Sequence, residues 1–165
     1  MNHDSRPSIR SLVFVPAAIT LVVTVVRLAL ELAGAPAWLA NRNAGGAGAL
    51  IGIAWLPLVF GPWFALHLRP HVTSTRALIG PLAKTLLVYG LLARVPVLLI
   101  TLPAVLGDWG THYDTVPGEH GAGAKLAIAL AAQLGFWDCI WTVVLGSLAG
   151  LLTAAIRFRA RPAIG

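Results

Sequence analysis

Long apolar runs, broken at a few polar stations, organise this chain. They fall at about residues 11–33, 49–68, 77–106 and 124–157. A helix needs about 20 mostly apolar residues to cross a ~30 Å hydrocarbon core, and each run reaches that length. Strands do not fit, because a membrane barrel shows short alternating segments and lipid demands an internally bonded backbone. The pattern predicts an all-α integral membrane protein: an antiparallel bundle of four transmembrane helices forming one transmembrane domain over residues 1–165. At 1.5 Å per residue the last two runs reach about 45 Å or slightly more, which predicts tilt, kinks or interfacial ends. Pro16 comes early in the first run, where its missing donor costs little. Pro57 and Pro96 fall inside the second and third and are expected to bend them.

Composition narrows the class. Apolar types make up 58% of the 165 residues and charged types 11%, against roughly 25% charged in soluble domains. That balance excludes an ordinary soluble enzyme, a disordered chain, a collagen and a disulfide scaffold. The single cysteine, Cys139, allows no intramolecular disulfide and reads as a small buried hydrophobe.

The few charges are sorted along the chain. Arg6 and Arg10 precede the first run, Arg69 and Arg76 mark the second connection with Lys84 near the inner end of the third run, and Arg157, Arg159 and Arg161 close the last run. The other two connections carry Arg42 and Lys125 as their strong bases. By the positive-inside rule both termini and the middle connection are cytoplasmic, and segments 34–48 and 107–123 face outward. An alanine, arginine and glycine bias suits a bacterial cytoplasmic (inner) membrane. An alternative is a cleaved signal peptide ending near Ala33-Gly34-Ala35. Its apolar part would be unusually long and would contain Arg27 and Glu31; cleavage leaves three spans with the same sense. The basic carboxyl tail reads as a stop-transfer anchor that can touch anionic lipid at the cytoplasmic face, not as a nucleic-acid arm.

Gly48 and Gly52, and Gly146 and Gly150, stand four apart, a spacing that lets helix backbones approach closely. Packing within the bundle is the plain reading. An intermolecular face, serving a homo-oligomer or membrane-protein partner, is the alternative.

Charges at membrane depth carry the most information. Arg27 and Glu31 are one turn apart and can pair. By helical rise Arg27 and Arg94 lie about 24 and 26 Å beyond the inner ends of their runs, in the outer half, and Asp138 comes near the midplane. All four must face the bundle interior, a partner or water, and Arg94 has the reach to bridge Glu31 and Asp138. The structural reading is an internal ion-pair network. The functional reading is a polar cavity for a proton, an ion or an anionic headgroup. No histidine lies at a span centre, which argues against a haem held by two imidazoles; His67 and His71 lie at or beyond the edge of the second run, and a single axial histidine is the alternative.

The 107–123 segment is dense in side chains with chemistry. His112, Asp114, Glu119 and His120 are a candidate polar, metal or acid/base site, although no His-Glu-x-x-His and no paired cysteines accompany them. A solvated loop is the plain reading. Trp109, Tyr113 and Trp38 read as interfacial anchors. The glycine-rich 41–48 stretch lacks the Gly-Lys-Ser/Thr end of a phosphate loop and reads as a tight re-entry, or as a backbone nest for an anion beside Arg42. No cofactor is expected. The leading functional expectation is an accessory or structural subunit of a membrane assembly. The alternatives are a small proton, ion or anionic-solute transporter using the four intramembrane charges, and a membrane enzyme with an outer-face His/Asp/Glu site.

Overall fold

A computed structural model describes residues 8–40 and 50–159, with side chains as far as Arg157. Arg6, Arg42, the 41–48 stretch with Gly48, Arg161 and the side chain of Arg159 lie outside the described residues. Among the described residues the chain is helical, with no strand.

Helix α1 covers Ile9–Leu32. Its N-cap is Ser8, whose hydroxyl accepts from the Ser11 N–H at 3.1 Å. Helix α2 covers Leu56–Leu68 and leads through a 3-10 turn, Arg69–His71, to α3, Thr75–Gly107. Ser74 caps α3 by accepting from the Ala77 N–H. Asp108, in the left-handed conformation at φ 47°, ends it. Helix α4 covers Ala122–Ala131 and runs into a π-helical segment, Ala132–Leu145, and then α5, Gly146–Arg159. The backbone stays helical through both junctions.

Three of these helices are long and apolar enough to cross a membrane: α1, α3 and the continuous Ala122–Arg157 rod. The second run differs from its sequence expectation. Residues 50–55 are bends and turns, and helix begins only at Leu56. Pro57 therefore stands in the first turn, where its missing N–H would have no intrahelical partner anyway, and not at a mid-helix bend. Pro96 does lie inside α3, which continues through it.

The surface is inverted relative to a soluble bundle. Phe14 is 73% exposed and Leu99 69% exposed, while the buried stripe of α1 continues from Pro16 through Thr20, Thr24, Arg27 and Glu31. Apolar residues outside and polar residues inside suit a lipid solvent. Cys139 follows the same logic: expected to be buried, it is exposed among the apolar side chains of its helix.

The interior has an apolar half and a polar half. Leu12, Phe60, Phe64, Leu78, Leu82, Leu86 and Tyr89 pack into one core. Val97, Ala104 and Tyr113 form a smaller one farther along α3. A close backbone contact joins α2 to the last rod. A Cβ at Gly61 would overlap the Gly146 carbonyl, and one at Gly150 would stand 2.6 Å from the Gly61 carbonyl oxygen. Gly146 and Gly150 are thus used in packing within the chain.

Candidate functional site: an arginine-lined cavity

The α1 stripe places Arg27 and Glu31 on one face, i and i+4. Arg27 Nε donates to Glu31 Oε1 at 2.7 Å, and both side chains are almost fully buried. Glu31 also receives the 108–121 segment. The His112 backbone N–H donates to Oε2 at 3.0 Å, and His112 Nδ1 lies 2.6 Å from Oε1, out of line for a straight N–H···O bond. Tyr113 donates to the Thr24 carbonyl at 3.4 Å and is only 6% exposed. It is a buried fastener, not the interfacial anchor its sequence position predicts; Trp38 and Trp109 are exposed.

Asp114 organises the same loop from inside. Its carboxylate accepts from the Gly110 N–H at 2.9 Å and from the Thr111 N–H and hydroxyl, each at 2.7 Å. Burial opposes its ionisation, but these hydrogen bonds outweigh it and hold the acid below its ordinary value. For His112, burial dominates and the contact with Glu31 offsets it only in part, so the imidazole titrates below its ordinary value. Burial raises the Tyr113 hydroxyl above its ordinary value.

The four loop residues singled out from sequence do not gather. His112 turns to Glu31 and Asp114 to its own turn. His120 Nε2 contacts the Pro117 carbonyl at 3.0 Å, and Glu119 is exposed. Among the described residues no group of three or more His, Cys, Asp or Glu side chains is placed to hold a metal ion.

Below this loop is a cavity of about 200 Å³. Thr24 and Arg27 form the α1 wall and Arg94, Val97 and Thr101 the α3 wall. Ile128, Ala129, Ala132, Gln133 and Trp137 close another side, and His112, Tyr113 and residues 115–117 form the roof. Ile53 and Ala54, at the entry to α2, complete the lining. Among the described residues two guanidinium-bearing side chains line it and no carboxylate does.

Arg94 is 4% exposed. Its Nη1 donates to Gln133 Oε1 at 3.2 Å and its Nη2 to the Trp137 carbonyl at 3.3 Å, while the Trp137 ring centroid lies 5.9 Å from its guanidinium carbon. Its Nε has no hydrogen-bond partner. The expected bridge from Arg94 to Glu31 and Asp138 does not form. Glu31 is turned to Arg27 and His112, and Gln133 with the Trp137 carbonyl draws Arg94 toward the π segment. Asp138 is 1% exposed, and neither carboxylate oxygen has a hydrogen-bond partner. The structure therefore divides the four membrane charges into a bonded pair, Arg27 and Glu31, and two neighbours that do not touch.

The π segment explains this division. Its bonds run i to i+5 and widen the helix; Thr142 donates its hydroxyl to the Trp137 carbonyl five residues back at 2.7 Å. Gln133 and Asp138, five apart, then meet one face of α3 a turn apart, at Arg94 and at Gly90. Gln133, Trp137 and Thr24 were not singled out from sequence, and Tyr113 was read there only as an interfacial anchor. An amide within an otherwise apolar run was the available signal for Gln133; the other three look like ordinary residues of a span or an interface.

Comparison with known proteins finds no matching family model, no matching curated protein and no matching solved structure.

Proposed function

We propose that this protein is a small multi-pass membrane protein that binds, and carries across the bilayer, a small anionic solute. The carrying observation is the cavity lined by Arg94 and Arg27 with no carboxylate among its described lining residues; Arg27 is paired with Glu31, so Arg94 supplies the uncompensated charge. Buried guanidinium groups in low dielectric favour an anion strongly. Gln133, whose amide oxygen is engaged by Arg94, also lines the cavity and carries an NH2 donor. The N-terminal end of α2 also borders the cavity at Ile53 and Ala54. A broken membrane helix whose N-terminus meets an anion is a recurring arrangement in transporters. At about 200 Å³ the space suits a small inorganic oxyanion or short carboxylate, being below the ~300 Å³ of drug-sized pockets.

The topology that accompanies this reading has four antiparallel spans and cytoplasmic termini in a bacterial inner membrane. Helix α2 has 13 residues and rises only about 20 Å, so its crossing would be completed by residues 50–55. Irregular backbone at that depth is tolerated where protein or a cavity surrounds it. The Trp141 indole N–H donates to the Ala54 carbonyl there, and Ala54 is buried. The accessory-subunit reading draws less support, because Gly146 and Gly150 are used against α2 within the chain.

The test is saturable binding of sulfate, phosphate and a short carboxylate to the purified protein, read by tryptophan fluorescence from Trp137. Nanodiscs with anionic or zwitterionic lipid distinguish a free anion from a lipid headgroup. Binding in both, lost in Arg94→Gln, is expected, together with sulfate flux in proteoliposomes. No saturable binding of any of the three anions would overturn the reading.

A further inference from the structure

Asp138 is the buried charged group for which the cavity gives no account. Both oxygens are without hydrogen bonds at 1% exposure. The carboxylate fits because residue 90 is glycine. A Cβ there would overlap Oδ1 and stand 3.1 Å from the Thr142 methyl carbon. Arg94 lies one turn along α3 from Gly90. Arg94 and Asp138 are within electrostatic reach of each other, yet the guanidinium is hydrogen-bonded to Gln133 and Trp137. An ionised carboxylate at this depth without a partner is costly, whereas a neutral acid is tolerated. The observed arrangement suits a protonated Asp138.

Resting on the anion-cavity reading, we propose that Asp138 is a proton-binding site coupled to the anion through Arg94. With an anion in the cavity, Arg94 partners the anion and Asp138 holds a proton on one carboxylate oxygen. With the cavity empty, Arg94 turns to the ionised Asp138. Asp138 offers one site, so one proton is taken from solution for each anion that Arg94 partners, whatever the charge of that anion. The coupling makes the protein a proton–anion symporter, and it is reciprocal: acid tightens the anion, and the anion draws the proton.

Among the described residues, His112 apart, the other titratable groups near Asp138 are engaged elsewhere or distant. Tyr89 on α3 shares a 2.8 Å hydrogen bond with Thr20 of α1. Arg27 and Glu31 on α1 are paired with each other. On α2, His67 bonds the Trp63 carbonyl. On the rod itself Cys139 is exposed, and Lys125 is 13 residues back, about 20 Å along the helix. His112 borders the cavity from the roof and needs its own control.

The experiment uses the full chain in nanodiscs with sulfate as probe, since sulfate does not titrate between pH 5 and 8. The wild type should take up close to one proton per sulfate bound in weak buffer. Its Kd should rise about tenfold per pH unit above the titration of Asp138. Asp138→Asn should bind at every pH as the wild type does in acid, with no proton uptake, while His112→Gln should retain the pH slope. An infrared difference spectrum of the wild type on adding sulfate should show a new protonated-carboxyl band, a readout that needs no variant. Sulfate binding without proton uptake or without that band, or a pH slope surviving in Asp138→Asn, overturns the proton site alone. Absence of sulfate binding at every pH overturns the cavity reading and this one together.

Discussion

Glu31 shows how one residue joins distant parts of the chain. It pairs with Arg27 on its own helix and holds the backbone and ring of His112, 81 positions later. Removing one partner of a buried ion pair costs about 3–5 kcal/mol. Glu31→Gln should therefore lower thermal stability by that order and speed amide exchange at residues 110–115 beyond the rest of the chain. The loop should also loosen in acid. His112 titrates lower in the folded protein than its unfolded value of 6.5, so its contribution is complete above that value and is lost as pH falls through the lower folded one. Asp114, held below 3.8, acts in the same direction at still lower pH. Amide exchange at Thr111 to Asp114, corrected for its intrinsic rate, should rise as pH falls below 6.5, and His112→Phe should remove the first phase. Of these groups, Arg27 and Glu31 were legible from their spacing of four. The His112 contact was not, because it joins two segments through a tertiary approach that no local pattern encodes.

At the scale of elements, α2 and the π segment decide the site. The glycines packing α2 on the last rod leave no room for a methyl group. Gly61→Ala would overlap the Gly146 carbonyl and should destabilise by about 1–3 kcal/mol. Gly80→Ala, which meets nothing within 4 Å, should leave thermal stability unchanged or raise it by about 0.5–1 kcal/mol. The Trp141 indole satisfies the Ala54 carbonyl where α2 has not yet begun. Trp141→Phe should cost about 1–3 kcal/mol and alter anion affinity, since Ala54 borders the cavity. Hydropathy located the second apolar run but placed helix over its first residues as well, because an average over side chains is blind to the backbone. The π segment was equally invisible. Its residues are apolar and aromatic like those of any span, and the five-residue register is a property of the folded backbone.

For the molecule as a whole, the inverted distribution of polarity is the main feature, and orientation is the property to test. In a Cys139→Ala background, a single cysteine at Ser8 should resist a membrane-impermeant thiol reagent added outside intact cells. One at Glu119, which is exposed, should react. The reverse labelling would invert the orientation read from the arginines. A cysteine at Glu119 that stays unlabelled from both sides would place that loop within the bilayer.

The sequence by itself determined the solvent. Too few charges for a water-facing surface, in apolar runs too long for strands, leave helices in lipid as the only arrangement that satisfies the backbone. It also marked Arg27, Glu31, Arg94 and Asp138 as interior, since lipid would not hold them. Only the tertiary structure decided who partners whom. Pairing depends on distances of a few ångströms between separate helices, set by glycine contacts, a widened turn and a loop folded onto α1. Those contacts bonded two of the four charges to each other, turned a third into a cavity, and left the fourth beside a glycine without a partner.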